Sequence, residues 1–180
     1  MVYLLLADGF EEIEALTPVD VLRRGGVEVK TVGITGKTVM GSHGIPVVAD
    51  ILPEEIGDDF EMVIFPGGLP GSDHLHASPV SDALLARAAE TGAHVAAICA
   101  APYLLGLRGQ LAGLRATSYP AEKFRTALKD ATVSDDRVVT DGRFTTAQGM
   151  GVAEEFSLRL LAVLRGEEAA HTVGAAAMMR

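Results

Sequence analysis

The residues VYLLLA, positions 2–7, form an unbroken apolar run that ends abruptly at Asp8-Gly9. A strand with one face in water alternates apolar and polar residues, whereas a strand covered on both faces has no polar side to show. This run therefore calls for layers of structure above and below it. FEMVIF (60–65), closed by Pro66-Gly67-Gly68, and HVAAI (94–98), leading into Cys99, have the same character. VEVKTVGI (27–34) reads as a further strand, and GIPVVAD (44–50) as a short one whose proline suits an edge. RVVTDGRFTTA (137–147) holds two β-rich runs around Asp141-Gly142, a hairpin signal.

Helical patterns fall between these strands. EEIEALTPVDVLRRGG (11–26) carries acids in its first turn and arginines in its last, with Gly25 as a stop; Ile13, Leu16, Val19 and Leu22 stand at helical spacing and Pro18 bends it. Ser78 caps and Pro79 opens VSDALLARAAETG, which stops at Gly92. VAEEFSLRLLAVLRG (152–166) places Phe156, Leu160 and Leu164 on one face, and a short Ala/Met-rich helix ends the chain, its Met178 and Met179 suited to packing or an interface. Strand and helix in alternation imply an α/β fold: a mostly parallel sheet with helices on both faces, making a three-layer sandwich. No linker or repeat divides the chain, so residues 1–180 are expected to form one domain.

Charge and cysteine usage narrow the setting. A formal net charge of −9, with no local Lys/Arg cluster, repels phosphate backbones and anionic lipid, so neither nucleic acid nor a membrane is an expected partner. MVYLLLADGF lacks a cationic leader, and a single cysteine cannot close an internal disulfide; a reducing cytoplasm is the expected location.

In an open parallel sheet, ligands sit beyond the carboxyl ends of the strands, where the connecting loops converge. Three loops qualify. Cys99 follows the strand HVAAI, and Ala97-Ile98-Cys99-Ala100-Ala101 supplies the small neighbours that a nucleophile elbow needs. A thiol there faces a helix N-terminus and is expected to be acidic and reactive; an inert buried cysteine is the competing reading. Gly67 and Gly68 let backbone approach a ligand, and the amides of Gly68 and Ala100 could form an oxyanion hole. Among the acids after the first strand, Glu11 and Glu12 are expected to reach solvent. Glu14 is expected to be partly buried and protonated near neutrality, beside the sulfur. No GxGxxG or GxxxxGK[ST] is present to bind a nucleotide. His74 and His76 would share one side of an extended segment without an evident third ligand, so no metal and no cofactor are expected.

ADGFEEIEALTPVDVLRRGG, FPGG, AAICAAP and EEFSLRLLAVLRGEEAA together resemble the DJ-1/ThiJ/PfpI superfamily, in its DJ-1-like branch, through nearly the whole chain and in the expected order. The resemblance implies a flavodoxin-like α/β sandwich, a homodimer, and an elbow cysteine touching a protonated glutamate. By motif those roles fall on Cys99 and Glu14, with the Gly68 and Ala100 amides around them and Gly67 alongside. The chain also departs from the family. Tyr119 stands where the best-known member has histidine, which removes a Cys-His relay but leaves a group able to orient substrate. Ala100 replaces the histidine of the protease-like branch, and His171 is followed by Thr172 and Val173 rather than the His-x-Glu of a glutamine amidotransferase. His43 stands for an arginine near the thiol, and GMGV (149–152) for a Gly-Pro-Gly-Thr loop.

The activity that the resemblance implies is cofactor-free chemistry on a small reactive carbonyl: a glyoxalase turning methylglyoxal into lactate, or a deglycase of early glycation adducts. Its rival is a stress sensor or redox-regulated chaperone in which Cys99 is oxidised to sulfinic acid without turnover.

Overall fold

The computed structural model describes residues 1–179. In chain order the elements are β1 (Val2–Leu6), α1 (Glu12–Arg24), β2 (Val29–Gly33), β3 (Thr38–Met40), β4 (Pro46–Val48), β5 (Met62–Phe65), α2 (Gly71–Ala77), α3 (Pro79–Thr91) and β6 (His94–Ile98). There follow α4 (Pro102–Leu107), β7 (Arg115–Ala116), α5 (Glu122–Ala127), β8 (Thr132–Val133), β9 (Val138–Asp141), β10 (Phe144–Ala147), α6 (Ala153–Arg165) and α7 (Glu167–Ala176).

Six strands form the central sheet in the order β2-β1-β5-β6-β10-β9, all parallel except β9, which returns antiparallel against β10 through the Asp141-Gly142 turn. The strands read as doubly covered are so. Val2, Leu4 and Leu6 pack on one face with Val19, Leu22, Phe156 and Leu160 from α1 and α6. Tyr3 and Leu5 pack on the other with Leu84, Leu85, Leu104 and Leu105 from α3 and α4. The result is a flavodoxin-like three-layer α/β sandwich. GIPVVAD supplies β4, which pairs with β3 in a separate hairpin at one end of the sheet. Ser78 Oγ accepts from the Val80 amide at the start of α3, and Gly92 ends that helix in the left-handed conformation.

Two local expectations are corrected. On α1 the buried side is Ala15, Pro18, Val19 and Leu22, while Ile13 and Leu16 are exposed. A series spaced only by three residues drifts about 60° round the helix at each step, so it passes from the solvent face to the core face. The HLH segment is not extended: it lies in α2, which sends its two imidazoles to different neighbours. His74 Nδ1 meets the Asp8 carbonyl at 2.9 Å, and His76 Nδ1 meets Arg108 at 2.7 Å. No helix among the described residues is long and apolar enough to cross a membrane.

The chain runs from β1 outward to β2 and then back across to β5, so the crossover direction reverses between β1 and β5. A crevice at the carboxyl ends of the strands is expected at such a reversal. The loops after β1, β5, β6 and β10 all open there.

Candidate active site

Cys99 is the first residue past β6 and adopts φ +64°, a left-handed conformation that residues other than glycine seldom take. Such a backbone persists only where its surroundings hold it. Here the Cys99 amide donates to the Ala147 carbonyl at 2.9 Å, and the Cys99 carbonyl accepts from the Tyr119 amide at 2.8 Å. The neighbours Ala97, Ala100 and Ala101 are all buried, so the bend has room only for small side chains. The elbow read from AICAA is therefore present, and the sulfur is neither sealed nor fully exposed.

Glu14 reaches the same place from the first turn of α1. It is 1% exposed. One carboxyl oxygen accepts the Gly67 amide at 3.0 Å, the Met150 amide also donates to the group, and the carboxyl hydrogen-bonds with Cys99. Glycine is required at 67: a Cβ there would stand 2.6 Å from the Cys99 Cβ and collide with Glu14 Oε2. The Glu11 amide donates to the Gly67 carbonyl at 3.0 Å, which clasps the loops after β1 and β5 together. The amides of Gly68 and Ala100 donate to the Cys99 sulfur.

The electrostatics revise one expectation. Burial pushes the Glu14 carboxyl up to about 7, with the Glu11 charge adding and the Cys99, Gly67 and Met150 hydrogen bonds opposing. The Cys99 thiol, expected to be acidic, is instead pushed above the ordinary thiol range by burial and then by Glu14, against the pull of the Ala100 and Gly68 amides. The helix that was to depress it, α4, starts only at Pro102 and has six residues. The two groups titrate as a pair. Above pH 7 the pair carries one negative charge and keeps one proton, which lies on or between the carboxyl and the sulfur.

Glu12, expected in solvent, is buried and 5% exposed. Its carboxylate accepts the His43 amide at 2.8 Å and the Ile45 amide at 3.4 Å, and pairs with His43 Nδ1 at 3.1 Å. Burial pushes this carboxyl up, but the His43 side chain and the surrounding amides overcome it and hold it at about 2. His43 in turn is raised by its hydrogen bond to Glu12 and by the charges of Glu11 and Glu12. The ligand-type atoms of Glu11, Glu12 and His43 lie within 4.8 Å of one another. Hydrogen bonds from Ser42, His43 and Ile45 already satisfy the two acids. Neither this network nor the Met150 amide on Glu14 was legible in the sequence; the signals were that His43 stands for an arginine near the thiol and that GMGV replaces another loop.

Tyr119 is half exposed and stacks edge-on against Phe124, with ring centroids 6.2 Å apart. Together these loops place a thiol, a carboxyl near neutrality and two inward amides at one point. That set can add sulfur to an electrophilic carbon and move a proton beside it.

The chain is similar to known proteins in sequence and in fold. The chain is 39% identical to Protein DJ-1 homolog A of Arabidopsis thaliana over 97% of its own length, and spans only 45% of that longer relative. A Caenorhabditis elegans protein named glutathione-independent glyoxalase DJR-1.2 is 34% identical, with 92% of this chain and 88% of the relative covered. The crystal structure of Drosophila melanogaster DJ-1beta superposes with a TM-score of 0.94 at 34% identity, covering 99% of this chain and 97% of that one. The model of the DJ-1/PfpI family matches residues 1–163, and the chain belongs to that family.

Proposed function

We propose that this protein is a cysteine-dependent enzyme, working without a cofactor, that acts on small reactive carbonyls, with conversion of methylglyoxal to lactate as its leading reaction. One observation carries the reading: the Cys99 sulfur shares a hydrogen bond with a carboxyl that titrates at about 7. A base with that value is half ionised at neutral pH and accepts or returns a proton with little cost. The name of the Caenorhabditis elegans relative supports the same choice.

In this scheme Glu14 takes the thiol proton as sulfur bonds to the aldehyde carbon, and the new hydroxyl oxygen receives a proton in turn. The Gly68 and Ala100 amides, aimed at the sulfur, hold the oxygen that develops beside it. Glu14 next removes the hydrogen from the sulfur-bearing carbon as the neighbouring carbonyl oxygen is protonated, giving an enediol; return of the proton to that neighbouring carbon, with loss of the proton on the first hydroxyl, leaves a 2-hydroxy thioester. Water hydrolyses the thioester, releasing the 2-hydroxy acid and the free thiol, with no external oxidant or reductant. On an early glycation adduct, sulfur would instead form its bond to the same carbon as the amine or thiol leaves with a proton from Glu14, giving the same enzyme-bound intermediate. Tyr119 and Gly67 border the reacting atoms and shape the substrate's position.

Conversion of methylglyoxal to lactate, measured without glutathione, tests the reading. Cys99→Ser and Glu14→Gln are each expected to cost about 100-fold or more. Wild-type turnover in either variant would contradict it. A peroxide sensor is the competing function. Both reactions need sulfur freed of its proton; the enzyme is preferred because a carboxyl at about 7 beside the thiol supplies the acid and base that turnover requires and oxidation does not. Rapid, stable sulfinate formation with no turnover would reverse that preference. We further propose that residues 1–180 act as one domain, in a reducing cytoplasm, as a homodimer. The exposed apolar Ile13, Leu16 and Met150 beside the site are the surface that supports pairing.

A further inference from the structure

Helices α4 and α5 meet at Gly106, where a Cβ would collide with the Ala127 carbonyl, and beside that contact lies a cleft of about 600 Å³. Small-molecule sites have volumes of this order. None of Cys99, Glu14, Gly68 and Tyr119 lines it, so it is separate from the crevice described above. The apolar part of its wall is Leu107, left 57% exposed, with Ala127 and the largely buried Tyr103. An exposed leucine by itself signals nothing. Here, however, it shares the wall with Lys123 and Lys129, two of the chain's four lysines. Asp130 is the one acid on that wall, which leaves the cleft a single unmatched positive charge in a chain of net charge −9. The Lys123 ammonium is held close by: it lies 5.5 Å from the Phe124 ring centroid, 5.8 Å from that of Tyr103 and 3.9 Å from Asp73. Lys129 forms no ion pair among the described residues.

We propose that this cleft binds a small organic monoanion, a carboxylate carried on an apolar body the size of an aromatic ring. The body lies against Leu107, Ala127 and Tyr103, and the carboxylate is drawn to Lys129 and Lys123. Covering the leucine supplies most of the affinity, because apolar area leaves water, and the lysines set the sign of the charge accepted. A neutral body of the same shape gains only the first contribution. A cation meets net repulsion, and a dianion carries more charge than the cleft leaves unmatched.

Titration of hydrocinnamate into the isotope-labelled protein, followed through amide chemical shifts, tests the site. The Gly106, Gly109 and Lys129 amides are expected to move saturably, with a dissociation constant on the order of a millimolar. Hydrocinnamamide, the uncharged amide of the same body, should bind the same residues about threefold or more weakly. Replacing both lysines, Lys123→Gln with Lys129→Gln, should cost the acid about tenfold and leave the amide unchanged, and added salt should weaken the acid alone. Leu107→Ser, at a position whose exposure spares the core, should weaken both probes alike. The site is overturned by equal affinity for acid and amide, or by an acid affinity that the double variant leaves unaltered. Shifts confined to the Cys99 crevice or spread over the surface, or no saturable shift at these three amides, would overturn it as well.

Discussion

Glu14 holds a carboxyl almost out of water, and the fold bears a cost for it. Its folded value of about 7 lies above the ordinary 4.5, so between those values the folded state keeps a proton that the unfolded chain has released. Stability contributed by that proton is present below pH 4.5 and is lost as pH rises through 7. The interval corresponds to about 3 kcal/mol. Glu14→Gln keeps an acceptor for the Gly67 amide without titrating, so the urea midpoint of the variant relative to wild type should climb between pH 4.5 and 8. A constant difference across that range would mean that Glu14 is not buried as an acid. At this scale the sequence was informative about identity more than about charge. Small residues around Cys99 and an acid among apolar neighbours marked the pair, but the direction of the thiol shift depends on how deeply both groups are covered. That depth is set by Gly67 and Met150, which are distant in the chain.

Among the elements, the strands were the most legible, since burial on both faces leaves an unbroken apolar run that few other structures produce. Helix α3 was also plain, bounded by Ser78-Pro79 and Gly92. Helix α1 was legible as a helix but not in phase. Its first turn faces the site, where Glu12 and Glu14 take inward positions that an amphipathic helix ordinarily gives to apolar residues, and Ile13 and Leu16 turn outward. Helix α2 escaped notice because seven residues containing two histidines carry no apolar periodicity, with only Leu75 fully buried among its large side chains. The loops after β1, β5, β6 and β10 were visible separately as Asp/Gly, Pro-Gly-Gly, Cys-Ala and Gly-rich punctuation. Which of them would touch depended on the strand order β2-β1-β5-β6-β10-β9, and local sequence does not encode it.

Across the whole molecule, two buried titratable groups at opposite ends of the strands oppose each other. His94 begins β6, with Nε2 2.8 Å from the Thr145 hydroxyl, and burial followed by the charge of Arg143 lowers it to about 4. As pH falls from 6.5 to 4 the unfolded chain takes up a proton that the folded one refuses, so His94 withdraws about 3 kcal/mol over nearly the interval in which Glu14 restores a similar amount. His94→Gln, freed of that loss, should grow more stable relative to wild type as pH falls from 6.5 to 4, the opposite slope to Glu14→Gln; a parallel pH dependence would show that His94 is not held neutral. The proposed chemistry at the site is less tolerant of compensation, because it depends on one shared proton. The most direct measurement is the rate of iodoacetamide alkylation of Cys99, the chain's single cysteine, as a function of pH in the wild type and in Glu14→Gln. The wild-type rate should rise through a midpoint near 7, and the variant should lose that step and react appreciably only above the ordinary thiol range. Superimposable profiles would contradict a proton shared between Cys99 and Glu14.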